Sequence, residues 1–535
     1  MRVREIIVFV LYLAGAVVFT YPLARDIRTA TTDLSDPLLD AWALAWVAHQ
    51  LPRDPVHLFD ANRFYPEKGT LAYTDPMIGI GVPLSPIQWI FGEALVTLNV
   101  AMLLSIAISG YGAYRLGWCV SGSRAAGAVA GSVFAFAAYR LNHLEHVQLQ
   151  TAGYIPLLYL CLRRFLEEGR LRHGVGIAVF LWLVSASCAY YGMFTWVLLG
   201  VAIPYEIWRT RALQQTRRLV GLGLALTLSG LAFVPLALPF MRMGESFGLE
   251  RPLQRLQRAS ARPTDYLRSG SHLHRAVGLK PPSPERTLFP GILALGLSAV
   301  AIARSNRSTG LFLLVGGVAF WASLGPAWGL YRWLHAIVPG LSGVRVPPRI
   351  SIYVLFAVAI VAAQGAAIVL RGLQARWPAK WLATIVATIL ILVPLVESFG
   401  GPIPYARAPE RPAVYRWLAE QEGPVPVVEM PLPPPKRQRD NAVYLYWSTA
   451  HFKPLANGYA TVVPPVYAKI AESMKRFPSA SGVALLRDLG FRYVILHRDR
   501  YLRARAARIE EAMSAEPGLS RIYRTENETV FELTP

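Results

Sequence analysis

Apolar runs of roughly 17–22 residues recur along this chain, and that recurrence decides most of what it can fold into. A bilayer offers no water to unpaired backbone groups, so such runs are helices that bond internally. About eleven spans are expected, near 6–24, 93–114, 125–141, 151–166, 174–190, 191–208, 219–240, 289–304, 309–325, 350–370 and 381–397. Those at 125–141 and 151–166 are short, with polar residues at their outer ends, and the pair around Tyr190-Tyr191-Gly192 requires a very tight turn. Composition agrees: 54% of the 535 residues are hydrophobic and 16% charged, too little charge for a soluble protein of this length. The fold class expected is a mainly α polytopic membrane protein.

The formal net charge of +21 would suggest nucleic acid in a soluble chain. Here much of the excess sits in short links between spans, where Arg selects the cytoplasmic side. No basic stripe interleaved with exposed aromatics marks a nucleic-acid face. With the N-terminus in the cytoplasm, the inner links carry Arg124, then Arg163, Arg164, Arg170 and Arg172, then Arg209, Arg211, Arg217 and Arg218. Arg304 and Arg307 follow, then Arg371, Arg376 and Lys380. The outer links hold few: Arg140 in one, and Arg332, Arg345 and Arg349 in another. The basic start, Met1 to Glu5, followed by an apolar run without a small-residue cleavage site, reads as a retained anchor. The three cysteines, Cys119, Cys161 and Cys188, lie in or beside apolar runs and imply neither a disulfide framework nor a zinc site.

Residues 1–397 then form the membrane domain, with outer segments 25–92 and 241–288, and residues 398–535 a soluble extracytoplasmic α/β domain. In the tail, Pro412 opens a helix through Leu418, Val425 to Met430 suits a strand, and Pro465 opens another helix. Gly490 closes the helix before it, and Phe491 to His497 reads as a buried strand. A charged helix follows from Arg500 to Met513, then a hairpin from Ile522 to Leu533 around Glu526-Asn527. The segment 241–288 is Arg-rich (Arg251, Arg255, Arg258, Arg262, Arg268, Arg275), which suits either a loop on anionic headgroups or capture of a lipid phosphate. No Gly-rich phosphate loop, metal-spaced His/Cys set or nucleophile elbow occurs.

Chemistry is expected just after the first span, in Thr31 to Trp42. Asp33, Asp36 and Asp40 are spaced three and four apart, so on a helix they share one face. Pro37 favours a helix start with Asp36 as N-cap and Asp40 one turn inside. Trp42 and Trp46 would lay this helix along the membrane interface. A carboxylate there can act as general base for an incoming hydroxyl, or Asp36 can simply cap the helix. Asp75-Pro76 repeats the cap arrangement, with a plain turn as the alternative. His143, Glu145 and His146 collect at the outer end of the third span, where His143 and His146 could share a helical face to hold a phosphate or sugar, form an interfacial pair, or bind metal. Arg345 and Arg349 flank Pro347-Pro348 between the ninth and tenth spans, suited to a phosphate or to headgroup anchoring. In the tail, His451 and Asn457-Gly458-Tyr459 are the polar positions that could reach the cavity.

These residues resemble a family. An acidic motif outside the first span, about eleven spans and an outer C-terminal domain are similar to the GT-C integral-membrane glycosyltransferases. The likeness covers essentially the whole chain. Asp36-Pro-Leu-Leu-Asp40 with Trp42 and Trp46, Asn62-Arg-Phe-Tyr-Pro66, His143 to Gln148, Phe289-Pro-Gly291 and Arg345 to Arg349 resemble an uncharacterised bacterial branch of that superfamily. The resemblance implies a protein of the bacterial inner membrane and a sugar donor on polyprenyl phosphate entering from the lipid. It implies one inverting displacement, usually without metal or other cofactor, with Asp36 or Asp40 as base. The first outer segment departs from the family in lacking Asp-x-Asp or Asp-Glu, since Asp36 and Asp40 are four apart. Asp75, His143, Glu145, His146, Arg345 and Arg349 are the substrate-binding candidates, Arg345, Arg349 or His146 offsetting charge on the departing phosphate. The acceptor, whether glycan, lipid or protein, is left open.

Two other readings compete. A transporter or flippase for a lipid-linked sugar would also use outer polar loops, but would show repeated halves with helices broken at midplane, and no such symmetry is visible. An inactive scaffold would tolerate changes at Asp36 and Asp40.

Overall fold

The computed structural model describes residues 3–248, 250–304 and 306–534. Met1 and Arg2 of the basic start lie outside the described residues. The chain divides into two compact units, Met1–Asp26 with Asn99–Pro404, and Ile27–Leu98 with Tyr405–Pro535. The expected first outer segment thus packs with the tail.

The first unit is helical. Among the described residues, four helices are long and apolar enough to cross a bilayer: Ala94–Ser121, which runs into this unit, Thr216–Phe247, Pro347–Arg376 and Lys380–Ser398. Helices occupy the other seven expected positions too. Val3–Phe19, Arg124–Ala135, Tyr154–Glu168, Leu171–Ser187, Ile292–Ala303 and Arg307–Ser323 run 12 to 17 residues, and Ala189–Thr210 runs 22. At 1.5 Å per residue the shortest reach only about 18 Å, against a hydrocarbon core of about 30 Å. The run expected at 125–141 breaks after Ala135 and resumes as Ala138–Leu141. The tight turn comes at Cys188 rather than at Tyr190 to Gly192, which lie inside the following helix.

The core centres on the helix Ile352–Arg376, which packs on Arg124–Ala135, Ile292–Ala303 and Arg307–Ser323. Small residues allow it: a methyl at Gly316 would meet Ala357 at 2.7 Å. Two helices behave differently. Only 17% of the apolar window in Thr216–Phe247, and 22% of that in Lys380–Ser398, is buried. Leu224, Leu228, Leu231, Ile385, Ile389 and Val396 stand exposed there, an apolar surface that suits lipid contact rather than water.

Among its described residues, the second unit holds two sheets. β1 (Ala30–Thr31) pairs antiparallel with β2 (Ala406–Arg407). β3 (Val427–Met430), β4 (Tyr493–His497), β5 (Leu519–Arg524) and β6 (Glu528–Leu533) form a mixed sheet of order β3-β4-β6-β5, with only β3 and β4 parallel. The helices Val414–Glu420, Pro465–Ser473, Ala480–Asp488 and Arg503–Ala515 fall close to the expected positions. Gly490, at φ +78°, ends its helix in the left-handed conformation that favours glycine. Val428, Leu496, Phe531, Leu486 and Met513 fill the core against the sheet.

The helix Asp36–Gln50 packs on Ile78–Phe91 and Ala442–Ser448 within this unit. Its two tryptophans are packed inside this unit rather than presented as exposed anchors: Trp42 is fully buried and Trp46 is 5% exposed. Their indole N–H groups donate to Asn62 Oδ1 at 2.9 Å and to the Leu58 carbonyl at 2.8 Å. Residues 62–65 in turn run beside 455–457, with Tyr65 N–H on the Leu455 carbonyl and Leu455 N–H on the Asn62 carbonyl, both at 2.8 Å.

Candidate functional site

Asp36 is the first residue of its helix, and the N-cap position falls on Ser35, whose side chain makes no cap bond. The expected Asp36 cap is therefore replaced. Asp33, outside the helix, folds back to accept the Ser35 N–H at 2.6 Å and its hydroxyl, which sets the turn. That leaves the Asp36 carboxylate for another partner, and Tyr459 donates its hydroxyl to it. Asp40, one turn along and 5% exposed, adds its charge to the surroundings of the same phenol. Burial first, and then Asp36, push the Tyr459 hydroxyl well above its ordinary range, so it stays a donor.

Tyr459 is held at both ends. Arg63, fully buried, donates to its carbonyl at 2.6 Å and to the Thr70 carbonyl at 2.6 Å, with its guanidinium 4.6 Å above the Trp42 ring. The adjacent Gly458 lets the Phe64 ring lie against the backbone where a Cβ would stand. Asn457 bonds the backbone of Glu429 in both directions, its Oδ1 accepting at 2.9 Å and its amide donating at 3.1 Å. His451 is half-buried, its Nδ1 accepting from the Lys453 N–H at 2.8 Å, and desolvation lowers it to about 3. Asp75 is half-buried in the turn before the helix Ile78–Phe91 and is not its cap, since that position is Met77 at φ +50°. In this unit, then, Asp36 and Asp40 share one helical face, with the tail supplying Tyr459.

The first unit holds the remaining candidates. His143 and His146 do not share a helical face, because residues 142–146 form a turn between the short helices Ala138–Leu141 and Val147–Gln150. Buried Arg140 braces that turn by donating to the Gln150 carbonyl at 2.7 Å, while the Gln150 amide donates to the carbonyls of Arg140 and His143. His143, 1% exposed, donates Nδ1–H to the Tyr139 carbonyl at 2.7 Å and turns Nε2 toward Glu285 at 3.1 Å. His146 lies 3.7 Å from its neighbour Glu145.

Glu285 was not expected. One of its oxygens faces His143, and the other accepts from Arg349 Nη2 at 2.6 Å and Nε at 3.0 Å. Arg349 also lies 4.7 Å over the Tyr190 ring. Burial raises the Glu285 carboxyl, but His143 and Arg349 outweigh it and hold the group well below the usual carboxylate range. The next residue, Arg286, anchors the segment on Asp265 at 2.6 Å. Arg345 is exposed while Arg349 is buried, so the two do not act as one clamp. In the Arg-rich segment, Arg268 and Arg275 donate to the carbonyls of Lys280 and Gly400, each at 3.1 Å.

No protein-family model matches the chain, and none of the curated proteins is similar to it in sequence. Solved structures do match. The arabinofuranosyltransferase AftD from Mycobacteria aligns with 99% of this chain at 15% identity and a TM-score of 0.58, and the chain spans 41% of that protein's length. ArnT from Cupriavidus metallidurans, bound to undecaprenyl phosphate, aligns with 98% of this chain and 97% of its own at 14% identity and a TM-score of 0.50. The oligosaccharyltransferase AglB from Archaeoglobus fulgidus gives 13% identity and a TM-score of 0.45 over 98% of this chain and 74% of its own. Multi-pass helices, a mixed second unit and near-complete alignment with AftD and ArnT identify the architecture: this chain has the fold of the GT-C integral-membrane glycosyltransferases.

Proposed function

We propose that this chain transfers a sugar from a polyprenyl-phosphate-linked donor to an acceptor hydroxyl at the extracytoplasmic face of a bacterial inner membrane. Asp36 is the general base. The observation that carries the reading is the carboxylate pair Asp36 and Asp40 directly after the first apolar helix, with Tyr459 hydrogen-bonded to Asp36, in a chain of GT-C fold. Asp36 removes the proton of the acceptor hydroxyl as its oxygen attacks the anomeric carbon. The bond from that carbon to the phosphate oxygen breaks, and the phosphate leaves with the electron pair. Configuration inverts.

A lipid phosphate is a good leaving group and needs charge compensation rather than a strong acid. Arg345, exposed, and His146 serve this purpose. His143 and Arg349, both turned to Glu285, act on substrate by holding the segment that carries Arg345, with Glu145 and Asp75 completing the binding set. The alternation of Arg along the inner and outer links supports a cytoplasmic N-terminus and an extracytoplasmic tail. The lipid carried by the ArnT structure supports the donor class.

The test is Asp36→Asn, which keeps an oxygen to accept from Tyr459. Membrane insertion and folding persist, and release of polyprenyl phosphate from the lipid-linked sugar pool falls about 10²–10⁴-fold, the usual worth of a general base. Full activity in that variant would reject Asp36 as the base.

A further inference from the structure

We propose that His497, Asp499 and Glu528 form a binding site for one divalent transition-metal cation, with Glu429 orienting the imidazole. His497 of β4 and Glu528 of β6 are direct partners in the antiparallel ladder, so their side chains project to the same face. Asp499 follows in the short turn Arg498–Arg500. One ligand atom from each residue lies within 4.8 Å of the other two.

The histidine points to a missing partner. It is 1% exposed, its Nε2 lies 2.8 Å from the fully buried Glu429, and its Nδ1 is buried without a hydrogen-bond partner. Glu429 also accepts the Tyr415 hydroxyl, and the rings of Tyr415, Tyr444 and Trp447 surround the imidazole. A buried nitrogen left without a partner forfeits the hydrogen bond it would make in water. A carboxylate on one ring nitrogen fixes the proton there and leaves the other lone pair for a metal, the arrangement that second partners of metal-bound histidines adopt.

The nearby cations are engaged elsewhere. Arg498 donates to Glu510 at 3.4 Å and to the carbonyls of Thr525 and Glu526, and Arg500 lies 4.6 Å over the Tyr444 ring. Glu528 accepts the Thr525 hydroxyl, which leaves capacity on its oxygens for a cation. One imidazole and two carboxylates suit Zn²⁺ or Mn²⁺. Tetrahedral donors about 2.1 Å from zinc stand about 3.5 Å apart, so the set must close by about 1 Å. Asp499 is exposed and can supply that movement. The cation would tie the turn after β4 to the β4–β6 pair, and sequence spacing hides it because its third ligand comes from another strand.

The experiment uses the full chain without a histidine tag, stripped with chelator in detergent, and titrated calorimetrically with Zn²⁺ and Mn²⁺, with Mg²⁺ as control. One saturable equivalent of Zn²⁺ or Mn²⁺ is expected, with a rise in Tm. Asp499→Asn and Glu528→Gln should each weaken it at least about tenfold, the loss seen when even an outer partner of a metal ligand is removed. Asp499→Asn alters an exposed side chain, so its folding is not at issue. Absence of a saturable equivalent, or affinity in both variants unchanged from that of the unsubstituted chain, would overturn the proposal.

Discussion

Tyr459 donates its hydroxyl to Asp36 across 423 residues of sequence. The bond joins the first acidic helix to the tail inside one compact unit. Arg63 on the Tyr459 carbonyl fixes the backbone from which the phenol projects. Tyr459 thus positions the proposed base rather than reacting itself. Tyr459→Phe removes only the donor, worth about 1.5–3 kcal/mol when its acceptor is charged. Turnover should fall about tenfold with little change in KM, and thermal stability should drop slightly. A variant with unchanged turnover would separate the tail from the chemistry.

Glu285 makes the pH prediction. His143 and Arg349 hold its carboxyl below the usual range, so the folded chain binds that proton more weakly than the unfolded chain. Its contribution to stability is complete above the ordinary glutamate value of about 4.3 and is lost as pH falls through the lower folded value. Glu285→Gln should lower Tm at neutral pH and flatten the acid-side loss of Tm. With Glu285 a quarter exposed, the cost should be about 2 kcal/mol, below the about 3–5 kcal/mol of a fully buried pair. An unchanged acid slope in that variant would show that other carboxyls govern it.

Period and punctuation made the broad plan legible. Apolar windows located the helices, and Pro412, Pro465 and Gly490 marked elements of the tail within a few residues of those observed. What sequence could not show was cover. Trp42 and Trp46 look like interfacial anchors until Asn62 and Leu58 take their N–H groups, and nothing local to positions 42 and 46 announces that. Asp36 looked like a cap because Asp33, which actually holds the turn, has the same chemistry three residues earlier. Glu285 is masked in the sequence by the many Arg residues of its segment. Its one signal was a lone acid between Pro284 and Arg286 in basic surroundings.

Gly458 offers a test of how the Tyr459 segment is seated. A methyl there would run into the Phe64 ring, which packs edge-on against Tyr467 at 5.3 Å and itself sits at φ +58°. Neither side can yield cheaply, and overpacking of this kind costs about 1–3 kcal/mol. Gly458→Ala should lower Tm and also reduce transfer, because Tyr459 moves with it. Loss of stability with transfer intact would mean that the bond from Tyr459 to Asp36 survives the displacement and does not limit turnover.

The helix Ile352–Arg376 carries its own internal control. A methyl on Gly365 would overlap the carbonyl oxygen of Leu297, whereas one on Gly372, two turns later, meets nothing within 4 Å. Both positions gain helix propensity on replacement by alanine, about 1 kcal/mol each. Only Gly365 has the neighbouring helix Ile292–Ala303 backbone-close, and backbone cannot rotate aside as a flexible side chain can. Gly365→Ala should therefore lower Tm in detergent and weaken insertion, while Gly372→Ala should leave Tm unchanged or raise it slightly. Equal effects from the two substitutions would mean that the helices do not approach so closely in the membrane. The packing of the core around Ile352–Arg376 would then need to be redrawn.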